Sequence, residues 1–157
     1  MIRALALVVV VSAVACESDR PQPGPEAPKP AGRVEIVKLA AGEDSVHAIA
    51  REAARAQTDK KKLVVYVGAA WCEPCTRFHD AAAQGSLDAA FPNLRLLELD
   101  RDRDEAELRK AGCLSRMIPL FALPTADGRC SERRMEGSIK GEGAVAEITP
   151  RLRALLE

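Results

Sequence analysis

Two cysteines separated by two residues, Cys72 and Cys75, are the part of this sequence best suited to do chemistry. They lie in the motif Trp-Cys-Glu-Pro-Cys at residues 71–75, soon after the apolar, β-type residues 63–67. Pro74 suits the first turn of a helix, where a missing N–H leaves no hydrogen bond unmade. The pattern therefore predicts a buried strand that leads into a helix through the cysteines. A Cys-x-x-Cys at such a junction is typical of thiol–disulfide exchange.

The predicted position of Cys72 favours its thiolate, which is the nucleophilic form of cysteine. Unpaired backbone N–H groups and the helix dipole stabilise negative charge at a helix N-terminus. We therefore expect the pKa of Cys72 to lie below the ~8.5 of a free thiol. Glu73 acts in the opposite direction, because a neighbouring carboxylate disfavours the thiolate. Cys75 lies one helical turn deeper, from where its thiol can attack a disulfide formed at Cys72.

The elements around this motif follow the order β-α-β-α-β-α-β-β-α, in which helix-linked parallel strands precede an antiparallel hairpin. Strands are expected at residues 34–39, 63–67, 94–99, 117–123 and 129–135. Helices are expected at residues 45–60, 73–84, 105–111 and 144–156, with a short helical piece at residues 87–91. The fold class is therefore α/β, a single domain with a mixed parallel and antiparallel central sheet flanked by helices.

Three details of these elements are also predicted. One face of the first helix is expected to be buried through its apolar residues Val46, Ile49, Ala50 and Ala53. Residues 100–104 alternate Asp and Arg, which indicates an exposed, solvated loop. Pro150 falls inside the last helix, so either that helix bends there or a second helical piece begins at this proline.

Residues 1–16 are predicted to direct export and to lie outside the fold. Their apolar run, residues 4–14, is too short for a mature membrane-spanning helix but suits the core of a signal peptide. Residues 13–16, Ala-Val-Ala-Cys, resemble the lipobox of bacterial lipoproteins, in which the cysteine is lipidated and becomes the mature N-terminus. We expect Cys16 to be lipidated; an ordinary secretory signal cut near Ala15 is the alternative.

Residues 17–33 are predicted to be a disordered tether. They are rich in proline and contain no large apolar residue, so they cannot bury a core. Acyl chains on Cys16 would hold the protein on a membrane surface, facing the periplasm of a bacterial cell envelope. In that oxidising compartment the other cysteines are expected to be redox-active or disulfide-bonded.

The composition fits one domain with tails. The chain has 157 residues, of which 47% are hydrophobic, and this suffices for a core. Lys plus Arg and Asp plus Glu each number 23, so no excess of positive charge indicates nucleic-acid binding. We expect a monomer without a nucleic-acid partner.

Residues 34–157 resemble the thioredoxin fold family. The motif at residues 71–75, an Ile118-Pro119 pair that opens a later strand, and a hairpin followed by a final helix occur in the family's order. A structural zinc site also uses Cys-x-x-Cys, but it needs about four ligands, and the sequence has no second close cysteine pair. The resemblance implies a thiol–disulfide oxidoreductase that uses a Cys72–Cys75 disulfide and neither a metal nor another cofactor.

The resemblance also implies a role for each site residue. Cys72 attacks a substrate disulfide, and Cys75 then resolves the mixed disulfide. Trp71 shields the pair and contacts the substrate. Pro119, after Ile118, corresponds to the family's cis proline, which faces the cysteines and presents backbone to an extended substrate. The implied partners are protein disulfides or dithiols and an electron donor of the membrane or envelope.

Two positions depart from the family pattern. Thioredoxins carry a buried aspartate five residues before the tryptophan, where it assists proton transfer to the second cysteine; Tyr66 stands there in this chain. Tyrosine is protonated at neutral pH and is a weaker base, so resolution at Cys75 is expected to use water or another carboxylate. Glu73 replaces the family's glycine and, by disfavouring the Cys72 thiolate, should make the pair more reducing.

The remaining pair, Cys113 and Cys130, admits three interpretations. The two cysteines form a structural disulfide, they are two separate thiols, or they form a second redox or regulatory site near Pro119. The separation of their Cα atoms decides among these, and it is a property of the fold that sequence does not supply.

The leading functional hypothesis is an envelope reductase, similar to thioredoxin-like proteins that keep apocytochromes or other exported cysteines reduced. A disulfide oxidase or isomerase is the alternative within enzymes. A third hypothesis is a copper chaperone or a non-catalytic binding module of the same fold. His79, one turn after Cys75, would then join a copper site, although a partly exposed surface histidine is the plainer interpretation.

Overall fold

The computed structural model describes residues 32–157. The proposed signal peptide and lipobox at residues 1–16, including Cys16, and nearly all of the linker at residues 17–33 lie outside the described residues. Those interpretations stay predictions. Within the part of the chain that the structure describes, no helix is both long enough and apolar enough to cross a bilayer.

A five-stranded mixed sheet forms the centre of the fold, with the strand order β1-β3-β2-β4-β5. The strands are β1 (Glu35–Lys38), β2 (Lys62–Gly68), β3 (Leu94–Asp100), β4 (Leu120–Pro124) and β5 (Cys130–Glu136). Strand β3 pairs in parallel with both β1 and β2, whereas β4 is antiparallel to β2 and to β5. The predicted fold class, a single α/β domain with a mixed sheet, is confirmed.

Four helices cover the two faces of this sheet. They are α1 (Ser45–Thr58), α2 (Glu73–Ala83), α3 (Glu105–Lys110) and α4 (Ala144–Leu156). Helices α2 and α4 pack on one face, and α1 and α3 pack on the other. The order of helices and strands agrees with the sequence prediction.

Strand β2 is buried on both faces because its side chains alternate between two cores. Val64 and Tyr66 enter the core under α2 and α4. The residues that alternate with them, Leu63, Val65 and Val67, enter the core under α1 and α3. The Tyr66 ring lies 5.6 Å from that of Phe78 on α2 and 5.1 Å from that of Phe121 on β4, measured between centroids. This aromatic cluster holds α2 against the central strands.

The buried face of α1 differs from the predicted one. Of the four residues expected there, only Ile49 is fully buried, and Val46 and Ala53 are partly covered. The fully buried residues of α1 are Ser45, Ala48, Ile49, Glu52 and Ala56. The predicted face was rotated from the buried one, because it missed the small residues Ala48 and Ala56 as well as the polar Ser45 and Glu52. Glu52 is buried since its carboxylate accepts hydrogen bonds from Arg51 and Arg55, which compensate part of its lost hydration.

Three further segments refine the prediction. Residues 87–91 form no helix: the Phe91 N–H donates to the Leu87 carbonyl at 2.9 Å as in an α-helix, but this bond stands alone, and residues 87–90 are turns. The loop at residues 100–104 is not fully exposed: Asp104 is buried and accepts a hydrogen bond of 2.8 Å from the backbone N–H of Asp100. Helix α4 continues through the exposed Pro150 as one element.

Cys113 and Cys130 are joined in a disulfide, with their Cα atoms 5.2 Å apart. The bond links the segment after α3 to the start of β5, and both cysteines are buried in the core under α1 and α3. The Cys130 N–H also donates to the Ala111 carbonyl at 2.9 Å. The interpretation that Cys113 and Cys130 are two separate thiols is therefore excluded.

Removing this cross-link should destabilise the fold. The cysteines are 17 residues apart, so replacing both with alanine is expected to lower the free energy of unfolding by about 3 kcal/mol. Urea unfolding of Cys113→Ala/Cys130→Ala and of the wild type, both without reductant, measures the difference. Equal midpoints would show that the disulfide contributes nothing to stability.

Candidate active site

The cysteine motif lies where β2 passes into α2. Cys72 is the N-cap residue of α2, and Pro74 lies in its first turn, as expected from the sequence. The Cys72 N–H donates to the Ala69 carbonyl at 3.1 Å, which closes the turn between strand and helix. Cys72 therefore lies at the helix end where unpaired N–H groups favour an anionic sulfur.

Cys72 and Cys75 form a disulfide across the first turn of α2, with their Cα atoms 5.2 Å apart. Both are nearly covered, with exposed fractions of 5% and 2%, respectively. Gly68 permits this close packing. A Cβ atom at Gly68 would lie 2.9 Å from the Tyr66 hydroxyl and 3.3 Å from the Cys75 Cβ. The helix can therefore approach the strand only because this position lacks a side chain.

Trp71 is held beside the cysteines by the loop that follows β3. Its side chain is 68% exposed, and its Nε1–H donates to Asp102 Oδ2 at 2.7 Å. The sequence interpretation treated residues 100–104 as a solvated loop and did not give Asp102 this role. Because β2 and β3 are parallel neighbours, their carboxyl ends meet at one edge of the sheet, and that topology was the available signal.

The Ile118–Pro119 peptide bond is cis. The next residue, Leu120, pairs with Val67 near the end of β2, so Pro119 lies at the edge of the sheet that carries the cysteines. The Pro119 carbonyl accepts a hydrogen bond of 2.9 Å from the Gly137 N–H, which links this bend to the segment after β5. Met117, just before the bend, is exposed.

Tyr66 supports the active-site helix. Its buried hydroxyl donates to the Cys75 carbonyl at 2.9 Å. Burial, with a smaller contribution from the nearby Glu98 and Asp80 carboxylates, raises the pKa of Tyr66 above its ordinary value. Tyr66 therefore stays protonated at neutral pH and cannot accept a proton there.

Glu73 has two partners outside the cysteine pair. Its carboxylate accepts a hydrogen bond of 2.9 Å from Arg77 Nε and one of 3.3 Å from the Gly141 N–H. The Arg77 bond first, and then the Gly141 bond, lower the pKa of Glu73. The side chain is exposed and carries its charge at neutral pH, but its ion pair with Arg77 weakens the field that it exerts on Cys72.

A cavity of about 310 Å³ lies next to the cysteine pair and is bounded by Cys75, Tyr66, His79 and Glu98. His79 Nδ1 is 3.0 Å from Glu98 Oε1. The sequence interpretation placed His79 on the surface and did not single out Glu98. Two signals were available: His79 lies four residues after Cys75 on one helix, and Glu98 is a charged residue between two leucines of a strand.

No group of three or more His, Cys, Asp or Glu side chains in residues 32–157 is arranged to hold a metal ion. The cavity beside Cys75 brings together one cysteine, one histidine and two carboxylates, but Cys75 is bonded to Cys72. In this oxidised state the side chains of the site suit disulfide chemistry.

Comparison with known proteins agrees with the geometry. Residues 44–126 match the model of a family described as thioredoxin-like. Poplar thioredoxin h shares the fold at 22% identity and a TM-score of 0.51, with 80% of this chain and 98% of that chain covered. Oxidised thioredoxin O1 from Arabidopsis thaliana scores 0.49 at 18% identity, with coverages of 78% and 95%. No curated protein gives a significant sequence match.

These comparisons and the paired cysteines lead to one conclusion. The family match covers the motif, α2 and the cis proline, and poplar thioredoxin h shares the overall fold. The chain therefore belongs to the thioredoxin-like family, and Cys72 and Cys75 make it a thiol–disulfide oxidoreductase.

Proposed function

We propose that this protein reduces disulfides of exported proteins, with Cys72 as the attacking and Cys75 as the resolving cysteine. The observation that carries the proposal is the position of Cys72 as the N-cap of α2, bonded to Cys75 one turn deeper. A sulfur at a helix N-terminus is stabilised as a thiolate, whereas a sulfur inside the first turn is not favoured in the same way.

The reaction transfers two electrons from the dithiol to the substrate. The Cys72 thiolate attacks one sulfur of the substrate disulfide, forms a mixed disulfide and expels the other sulfur as a thiolate. The Cys75 thiol then loses its proton and attacks the Cys72 sulfur. The bond between Cys72 and the substrate breaks, and the second substrate thiol is released. An electron donor of the membrane or envelope would reduce the resulting Cys72–Cys75 disulfide.

The surface around the cysteines suits an extended protein segment. The large hydrophobic side chains that are exposed in residues 32–157 are Trp71, Met117 and Ile139. Trp71 adjoins Cys72, and Met117 precedes the cis Pro119. Ile139 belongs to the loop whose Gly141 N–H bonds Glu73. All three segments therefore adjoin the motif or the cis-proline bend, and exposed apolar side chains of this kind mark binding surfaces.

The proposed location is the bacterial cell envelope, with the domain anchored through Cys16 and facing the periplasm. The sequence pattern of residues 1–16 supports export. The buried Cys113–Cys130 disulfide also supports an oxidising compartment, because such cross-links are rare in reducing ones. We propose a monomer whose partners are protein substrates and a membrane or envelope reductant.

Reduction of insulin with a chemical reductant as electron source tests the activity. The wild type is expected to accelerate insulin precipitation, and Cys72→Ser should fall to the uncatalysed rate because the attacking sulfur is missing. The double variant Cys113→Ala/Cys130→Ala, which keeps the redox pair, is the control and should retain activity. A Cys72→Ser protein as fast as the wild type would contradict the proposed mechanism.

The reduction potential tests the direction of the reaction. A potential near ~−270 mV favours a reductase, whereas one well above ~−200 mV favours the oxidase alternative. Glu73→Gln removes a charge that disfavours the Cys72 thiolate, so the potential should rise, but by no more than about 30 mV because Arg77 already partners that carboxylate. Glu142→Gln, in the neighbouring exposed loop, is the matched control. A fall in potential in Glu73→Gln would contradict this role.

Replacing Tyr66 by phenylalanine distinguishes a structural role of Tyr66 in holding α2 from a role in proton transfer. The change removes the hydrogen bond to the Cys75 carbonyl and should lower the free energy of unfolding by about 1 kcal/mol. Insulin reduction should be retained, because Tyr66 is protonated and is not the base. A stable Tyr66→Phe protein that forms mixed disulfides but does not resolve them would show that Tyr66 takes part in proton transfer.

A further inference from the structure

Several ionisable side chains line the cavity beside the cysteine pair, and the mechanism described so far gives most of them no role. It is bordered by groups from three strands, from α2 and from the loop after β3; these are Lys38, Tyr66, Cys75, His79, Glu98, Asp100 and Arg103. A resolving cysteine must lose a proton before it attacks, and the group that accepts this proton must lie close to the sulfur.

Four of these groups already have another hydrogen-bond partner or already carry a proton. Tyr66 is protonated and donates to a main-chain carbonyl. Asp100 Oδ1 accepts two backbone N–H groups of its own loop, each at 2.9 Å. Arg103 pairs with a carboxylate of the same loop at 2.7 Å. Lys38 is exposed, and lysine carries its proton at neutral pH. None of these side chains is suited to take a proton from a thiol.

His79 and Glu98 remain, and the fold places them together. His79 follows Cys75 by one turn on the same face of α2. Glu98 is paired in register with Tyr66 on one side and with Lys38 on the other, so its side chain lies on the sheet face that α2 covers. Glu98 Oε1 is 3.0 Å from His79 Nδ1, which is ion-pair distance. In the described part of the chain both His79 Nδ1 and Glu98 Oε2 are buried without an aligned hydrogen-bond partner.

We propose that His79, with its charge balanced by the neighbouring Glu98 carboxylate, accepts the proton of the Cys75 thiol when the mixed disulfide is resolved. Imidazole is the side chain best matched to proton transfer near neutral pH, and the carboxylate 3.0 Å away balances the positive charge that the imidazole gains when it accepts a proton. This inference rests on the proposed function. It assigns to a histidine on α2 and a glutamate on β3 the proton transfer that Tyr66 cannot perform.

The Cys75 thiol gives its proton to the His79 imidazole, and its thiolate attacks the Cys72 sulfur of the mixed disulfide. The Cys72–Cys75 bond forms while the bond between Cys72 and the substrate sulfur breaks, and that sulfur leaves as a thiolate. The imidazolium then returns its proton through solvent to the leaving thiolate. Both electrons reach the substrate disulfide, which is the oxidant.

Stopped-flow mixing of the reduced full chain with an aromatic nitrobenzoate disulfide, whose released thiolate is coloured, resolves the two sulfur steps. The first release depends on reagent concentration and reports attack by Cys72. The second is independent of concentration and reports attack by Cys75, so its loss in Cys75→Ser identifies it. The variants to compare are His79→Gln, Glu98→Gln and, as the matched control, His47→Gln on the opposite face of the sheet.

At about pH 6 the second phase should be about 100-fold slower in His79→Gln, the lower end of what a general base contributes, with the first phase unchanged. The deficit should shrink as the pH approaches ~8.5, where a free thiol ionises without assistance. Glu98→Gln should show a smaller deficit with the same pH trend, because the imidazole remains. His47→Gln should match the wild type in both phases.

A second phase in His79→Gln as fast as that of the wild type at about pH 6 would overturn the inference. A deficit that is the same at every pH would also overturn it, because a purely structural disturbance behaves in that way. If circular dichroism shows that His79→Gln is unfolded, Glu98→Gln decides by the same criteria. A wild type that shows neither phase would overturn the proposed function, and this inference with it.

Discussion

The contact between the end of β2 and the start of α2 is the constraint on which the rest of the structure depends. Tyr66, Phe78 and Phe121 fill the space between strand and helix, and the absence of a side chain at Gly68 allows the two to approach. This packing fixes Cys72 at the helix N-terminus, where the backbone can stabilise a thiolate. The redox chemistry is therefore a consequence of core packing on one face of the sheet.

The segments that surround the cysteines are positioned by single contacts to different parts of the chain. Asp102 fixes the Trp71 indole, Glu73 bonds the Gly141 N–H, and Gly137 bonds the carbonyl of Pro119. Each contact joins a loop to an element that begins or ends at the same edge of the sheet. The surface around the cysteines is consequently assembled from three loops on a rigid support, an arrangement that allows loop sequences to vary without disturbing the redox pair.

Most of the fold could be predicted from local pattern, because strand alternation, helix caps and turn residues are local properties. The buried strand β2, the position of Cys72 at the start of a helix and the hairpin of β4 and β5 follow from such signals. The failures involve partners distant in sequence or side chains whose burial depends on an ion pair. Glu52 is buried through two arginines of its own helix. His79 meets Glu98 only because α2 packs on the sheet, and the local signals that mark each residue separately do not report that contact.

The two disulfides lie in different halves of the core, Cys72–Cys75 under α2 and α4 and Cys113–Cys130 under α1 and α3. Exchange between disulfides requires direct contact between a thiolate and a sulfur atom. The central sheet lies between the two disulfides and keeps their sulfur atoms out of contact. The Cys72 thiolate can therefore go through repeated catalytic cycles without exchanging with the Cys113–Cys130 disulfide of the same molecule. Catalysis and the structural cross-link are in this way chemically independent within one small domain.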